Sequence, residues 1–199
     1  MSNTYVLVLF YSRHGSIAEM AKYIARGVNS VANIEAKVRQ VAPVSETSEA
    51  TSDAIPEQGA PYATLDELAQ CSALAIGSPS YFGSMAAPLK HFIDQTSTIW
   101  MTGGLIDKPA CAFTSASSMH GGHEQCLQSM MIPLLHHGMI WAGLPYKNKA
   151  LIGTTTGGTP YGASHLATTT SENTLSKDEI ALCEAQGRRI AELALKLAK

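Results

Sequence analysis

The sequence predicts an α/β fold: a doubly wound, five-stranded parallel sheet with helices on both faces, formed by residues 1–199 as a single domain. Three observations predict it. The first apolar run, residues 5–11 (YVLVLFY), is nearly continuous, as a strand covered on both faces must be. Runs of that kind then alternate with segments of helical spacing, and that order calls for parallel strands joined by crossover helices. Finally, 199 residues with 45% hydrophobic content suffice for one sizeable core, and no internal repeat divides the chain.

After the first strand, apolar residues recur at Ile17, Met20, Ala21, Ile24, Val28 and Val31. That is helical spacing, with Ser16 available as the N-cap. Residues 34–41 alternate like a strand with one partly wet face. Residues 42–62 are rich in Ser, Thr, Pro and Glu, lack any period, and read as a long surface excursion. Thr64 and Glu67 form a capping box that opens a short helix to Gln70. The third strand is 73–77. Residues 86–95 are helical, with Pro88 tolerated in the first turn. Strand four is 110–114, followed by a Gly-rich turn and a helix over 124–136. Residues 139–143 form the fifth strand. Residues 153–171 read as a Gly- and Thr-rich insertion without period. Ser176 and Glu179 make a second capping box, from which an amphipathic helix runs to the C-terminus.

Composition narrows the function. A net charge of −2 lacks the clustered Lys and Arg of a nucleic-acid footprint and the acidity of a strongly negative docking face. Charged residues are 15%, against a usual quarter, so other contacts must cover part of the surface; a subunit interface is the economical explanation. Strand-like sequence begins at Tyr5 with no charged region before it, so no signal peptide is expected. Cys71, Cys111, Cys126 and Cys183 form no CxxC pair and read as four reduced, buried thiols of a cytoplasmic protein, with no zinc site. Residues 125–146 carry no charge over a length that could cross a bilayer. They contain Gln128, Pro133, His136, His137 and Gly138, so a buried helix running into a buried strand is expected instead of a membrane span.

In open parallel sheets, ligands bind beyond the carboxyl ends of the strands, at the point where strand order reverses. For the flavodoxin-like order 2-1-3-4-5 that point lies between the first and third strands, with the fourth alongside. The loops there are distinctive. Ser12-Arg13-His14-Gly15-Ser16-Ile17 feeds directly into a helix, where free N–H groups and the helix dipole favour an anion. It has neither the GxGxxG of a dinucleotide site nor the GxxxxGK[ST] of a triphosphate site, and a terminal phosphate monoester such as that of FMN fits what remains. Gly77-Ser78-Pro79-Ser80-Tyr81-Phe82-Gly83 suits a flat ring held by backbone groups and stacking. Ser115-Ala116-Ser117-Ser118-Met119-His120-Gly121-Gly122 is small enough for close backbone approach. His120 and His123 bracket two glycines but have no Cys nearby and only Glu124 as an adjacent acid, so no metal site is expected there.

With these loops the chain resembles the WrbA family of FMN-dependent NAD(P)H:quinone oxidoreductases over essentially its whole length. The resemblance rests further on Phe92-Ile93-Asp94-Gln95-Thr96 with Trp100, on His136-His137-Gly138-Met139, and on Gly157-Gly158-Thr159-Pro160-Tyr161-Gly162-Ala163. It implies a flavodoxin-like fold, one FMN per subunit, NADH or NADPH as donor, a quinone as acceptor, and a tetramer with active sites near subunit boundaries. By motif position, it implies that Ser12, Arg13, His14, Gly15, Ser16 and Ile17 hold the ribityl phosphate. Pro79, Ser80, Tyr81, Phe82 and Gly83, with Ser115, Ala116, Ser117, Ser118, His120 and Gly121, would bind the rest of the cofactor. His136 would meet the flavin site, and Trp100 would line the substrate cavity. Two positions depart from the family: Ser80-Tyr81-Phe82 stands where it usually has Thr-Arg-Phe, and His14 where it often has Tyr. The rival expectation, an electron-carrier flavodoxin that docks on redox partners, sits poorly with the near-balanced charge.

Overall fold

The computed structural model describes residues 4–44, 59–168 and 174–198. Most of the excursion expected over residues 42–62, and the end of the insertion expected over 153–171, lie outside the described residues.

The first apolar run forms β1 (Tyr5–Phe10), buried along its whole length. It pairs in parallel with β2 (Glu35–Gln40) on one side and β3 (Ala73–Pro79) on the other. Beyond β3 comes β4 (Pro109–Ala116), so the order is 2-1-3-4-5 as the sequence predicts. Alternate residues of β1 face opposite layers, which is why the run must be apolar throughout. Val6, Val8 and Phe10 pack under α1 (Ser16–Asn29) and the last helix, α7 (Lys177–Leu197). Tyr5, Leu7 and Leu9 pack under α2 (Leu65–Gln70), α3 (Ala87–Asp94) and α5 (His123–His136). Each such fully buried side chain stabilises the fold by about 1.5–3 kcal/mol. Between α3 and β4 the chain adds a short α4 (Ser97–Met101), an element the sequence reading does not contain.

The fifth position corrects the sequence reading. It is filled by two pieces: β5 (Ile140–Trp141), paired with Pro109 and Ala110, and β6 (Ala163–Leu166), paired with Phe113 to Ala116. Between them the chain leaves the sheet, passes through α6 (Ala150–Gly153), and returns. β6 therefore lies inside the stretch expected to lack regular structure. Four residues, ASHL, are too few to show a period, and only pairing with β4 defines them. A buried amide fixes their register: Gln186 on α7 accepts from Ala163 N at 2.5 Å and donates to Ala112 O at 2.6 Å. α5 and β5 are also less covered than expected, since Ile132, Leu135 and Ile140 are exposed in the single chain. Among the described residues, no helix is long and apolar enough to cross a membrane.

Both capping boxes form as read, with Thr64 bonded to Glu67 and Ser176 to Glu179. All four cysteines are free and buried. Burial pushes the Cys71 and Cys111 thiols up to about 12 and the Cys126 thiol to about 11, and it raises Cys183 as well, so none is a ready nucleophile.

Candidate functional site

A cleft of about 430 Å³ opens at the carboxyl ends of β1, β3 and β4, within the usual range for small-molecule sites. Each wall is set by local chemistry. After β1, the chain turns through Gly15, whose φ of 96° lies in the left-handed region that glycine tolerates. That glycine, not Ser16, is the residue at the N-cap position, and Ser16 begins the helix. The capping hydroxyl comes from Ser12 instead: its Oγ accepts from Gly15 N and Ala18 N, each at 3.2 Å. The first turn of α1 thus presents its N-terminus to the cleft, with Ser12, Arg13, His14, Ser16 and Ile17 lining it.

After β3, buried Ser78 anchors the next loop by accepting from Ala86 N at 2.8 Å, while its own carbonyl accepts from the Thr114 hydroxyl at 2.8 Å. Tyr81 and Ser84 exchange backbone bonds of 2.9 and 3.0 Å around a two-residue turn. Its central residues, Phe82 (φ 52°) and Gly83 (φ 77°), both take positive φ, as a type I′ turn requires. A left-handed Phe costs about 1–2 kcal/mol. The turn leaves the Phe82 side chain fully exposed at its tip, outside the cleft, while Pro79, Ser80 and Tyr81 line the wall. Ser80 is tied to the neighbouring loop, its N–H donating to Ser115 O at 2.8 Å and its hydroxyl to Gly121 O at 2.9 Å.

After β4, Ser115, Ala116 and Ser117 line the cleft, whereas Ser118, His120 and Gly121 shape the same loop without lining it. His120 is exposed, and His123 is buried with Nε2 3.2 Å from His165 O. Two further lining residues, Ala167 and Thr168, were missed because they follow β6, the strand the sequence did not reveal. A buried carboxylate stations them. Glu179 accepts from Gly157 N (2.8 Å), Leu166 N (3.0 Å), Ser176 N (2.7 Å) and His165 Nδ1 (3.1 Å). Burial raises its pKa, but the bonds from His165, Ser176, Leu166 and Gly157 outweigh that and pull it down to about 2. The capping box was the one sequence signal of this network.

Electrostatically the cleft suits an anion next to a flat ring. Arg13 is its one formally charged lining residue, and no carboxylate lines it among the described residues. The nearby Tyr81 hydroxyl raises the pKa of the Arg13 guanidinium. Hydroxyls from Ser12, Ser16, Ser115, Ser117 and Thr168 surround it, and Ile17, Pro79, Tyr81, Ala116 and Ala167 supply apolar wall. This donor set fits a phosphate-bearing aromatic cofactor. Among the described residues, no group of three His, Cys, Asp or Glu side chains is arranged to hold a metal.

His136 and Trp100 stand elsewhere. α5 begins beside the cleft loops and runs for 14 residues, about 20 Å at 1.5 Å per residue, so its last residue, His136, sits toward the opposite edge of the sheet. There Trp100 Nε1 donates to His136 O at 2.9 Å, and both residues are exposed.

Comparison with known proteins agrees with this geometry. Residues 5–150 match the family model described as NADPH-dependent FMN reductase. A curated relative from Syntrophobacter fumaroxidans, named NAD(P)H dehydrogenase (quinone), is 40% identical over 201 residues, covering 98% of each chain. Among solved structures, a flavodoxin, WrbA-like protein from Agrobacterium tumefaciens matches 97% of this chain and 98% of its own, with a TM-score of 0.66 at 20% identity. A flavodoxin from the domain Archaea matches 96% and 99%, with a TM-score of 0.63 at 19% identity. The flavodoxin-like fold is thereby shown. The chain belongs to the NADPH-dependent FMN reductase family.

Proposed function

We propose that this member of the FMN reductase family is an FMN-dependent NAD(P)H:quinone oxidoreductase that takes its two substrates in turn at one cleft. The observation that carries the reading is the cleft itself: a helix N-terminus, one cation and several hydroxyls, with no carboxylate among the described residues, at the strand-order switch point. The relative named NAD(P)H dehydrogenase (quinone) supports the choice of acceptor.

Bound FMN would supply reversible two-electron chemistry, taking a hydride from the nicotinamide and passing electrons to the quinone. The protein's share is position and electrostatics. Ser12, Arg13, His14, Gly15, Ser16 and Ile17 would hold the phosphate, with the α1 dipole behind them. Pro79, Ser80, Tyr81, Ser115, Ala116 and Ser117 would bound the ring; Gly83, Ser118, His120 and Gly121 shape those loops. Tyr81 takes the place of the family's usual Arg, and Arg13 brings a guanidinium to the same wall from the phosphate loop. Phe82, at the tip of its turn, would meet a substrate or a neighbouring subunit.

We place the chain in a homotetramer. Trp100, Met101, Ile106, Ile132, Leu135 and Ile140 are all exposed around the far end of α5, apolar surface that neighbouring copies would cover. In that arrangement His136 and Trp100 would serve the cleft of a neighbouring copy, since their own cleft lies a helix length away. Four buried thiols suit a cytoplasmic setting.

The test is anaerobic. The FMN-loaded protein is mixed with NADH or NADPH, flavin absorbance is followed, and benzoquinone is then added. Rapid bleaching followed by full recolouring is expected. Persistent long-wavelength absorbance on partial reduction, or failure to bleach, would favour the electron-carrier reading instead.

A further inference from the structure

The residue next to His136 is buried, and its hydrogen bonding is incomplete. Thr96 Oγ1 lies 2.6 Å from Ile93 O and 2.8 Å from His137 Nε2. A hydroxyl has one hydrogen, and the shorter contact to Ile93 O claims it. The Thr96 oxygen must then accept, so His137 carries its proton on Nε2. Its Nδ1 is left as a bare lone pair, buried and without a partner. Either orientation of the hydroxyl leaves Nδ1 unpaired, but a bare lone pair there costs less than a stranded N–H.

The surroundings give that nitrogen nothing to bind. His137 lines a cavity of about 10 Å³ walled by Leu9, Leu68, Leu74, Ile76, Leu105 and Leu134. That size is at the lower limit for one water, which would need two to four polar partners, and the wall offers only Nδ1 and an engaged hydroxyl.

The bond also has a definite place in the chain. Thr96 is the N-cap of α4 and His137 the C-cap of α5. One turn along α4, Trp100 Nε1 donates to His136 O. Two rungs, one buried and one at the surface, therefore join α4 to the end of α5.

We propose that His137 is a positioning residue: its neutral Nε2–H form holds Thr96, and through α4 fixes Trp100 on His136, while a proton on Nδ1 releases both. The imidazolium would put a second N–H, with no acceptor, among leucines. Burial, followed by the nearby His136, lowers the His137 pKa, in agreement with this. The folded state favours the neutral ring, so the rung stands above the ordinary histidine range; as pH falls below it, the charged ring keeps its Nε2–H but is driven out of the leucine pocket by its unpaired Nδ1–H, and the rung goes with it.

Among the described residues, His136 is the one titratable group that acts on the ring. On α3, Lys90 pairs with Asp94 and His91 with Gln95, all at the surface. On α2, Asp66 is exposed and Glu67 is held by Arg39. Before β4, Asp107 is exposed and Lys108 donates to Ala69 O. On α5, Glu124 stands at the other end of the helix, as does His123.

The positioning claim stands on this chain alone; its bearing on quinone reduction rests on the reading that Trp100 and His136 serve the reaction. The experiment uses FMN-loaded protein, ¹⁵N-labelled at histidine, in a Trp141→Phe background that leaves Trp100 as the sole tryptophan. Long-range ¹H–¹⁵N spectra, assigned with His137→Gln, read the tautomer and titration of His137. Trp100 emission and quinone KM are followed over the same pH range. Expected are the Nε2–H form at neutral pH, a midpoint below that of ordinary histidine, and a Trp100 emission change that tracks it. Quinone KM should rise about fivefold across the same midpoint, the size of effect one hydrogen bond carries. His137→Gln, which keeps a donor but takes no proton, should flatten both curves. Thr96→Val should show the acid-form emission already at neutral pH. An Nδ1–H form at neutral pH, or Trp100 emission indifferent to the His137 titration, would overturn the proposal. Emission that tracks His137 while quinone KM stays flat would support the positioning and remove Trp100 from the reaction.

Discussion

His165 and His137 are both buried, and their surroundings are opposites. His165 on β6 bonds Glu179 inside a network where one carboxylate takes four hydrogen bonds, binding β6, the 157 loop and the start of α7. His137 at the end of α5 has one bond, to a hydroxyl, and a second nitrogen with none. Burial is the same in both places, with 1% of His165 and 8% of His137 exposed. What differs is whether the partners satisfy the group. A fully satisfied buried network holds a wall in place, while a partly satisfied one is where a structure gives way. The first stands behind the cleft lining at Ala167 and Thr168. The second stands behind the exposed Trp100 and His136.

The contrast can be broken most sharply at Glu179. In Glu179→Gln, either orientation of the amide turns an NH₂ toward two backbone or ring donors. We expect a loss of about 3–5 kcal/mol, hence a fall in Tm of about 6–20 °C for a chain of this size, measured by circular dichroism. FMN affinity, read by fluorescence quenching, should fall with it, because Leu166 is next to Ala167 and Thr168. Unchanged Tm and affinity would mean that the network holds nothing.

Acid sharpens it next. With a folded pKa of about 2 against an ordinary 4.5, the Glu179 contribution is fully present above the ordinary value and is lost as pH falls toward the folded one. Urea unfolding should therefore show about 3 kcal/mol draining away across that window in the wild type, and much less in the Gln variant.

Smaller still is the direct comparison of leucine replacements. His165→Leu removes a donor from a buried carboxylate and should cost about 2 kcal/mol. His137→Leu removes an unpaired nitrogen along with one bond, so stability should change by less than about 1 kcal/mol. Equal losses in the two variants would erase the distinction drawn here.

The alternation of strands and helices and the cleft loops were legible because their causes are local, while the strand order came with the flavodoxin-like resemblance. The unbroken apolar run of β1 demands cover on both faces, and Thr64–Glu67 and Ser176–Glu179 announce helix starts in four residues each. The loop from Ser12 to Ile17 declares itself by leading a strand directly into a helix, although the capping oxygen proved to be that of Ser12. β6 did not declare itself, because four residues in a Gly- and Thr-rich stretch carry no period. Its identity comes from β4 and from Gln186. Phe82 could be placed in the loop after β3, but its direction could not: the type I′ turn that points it outward is a property of two φ angles and a backbone pair.

The sequence by itself therefore determined the alternation of strands and helices, the loops that wall the cleft and the burial of the four thiols. Periodicity, caps and loop chemistry act over a few residues and need no distant partner. Only the tertiary structure decided that the fifth strand is split, that Glu179 braces the cleft wall, and that His136 and Trp100 meet a helix length from their own cleft. It also decided that of the adjacent histidines His136 and His137, one is exposed and the other is buried with a bare nitrogen. Each of these depends on which residues far apart in the chain are brought together, and the free energy of a buried polar group is set by the partners it finds there.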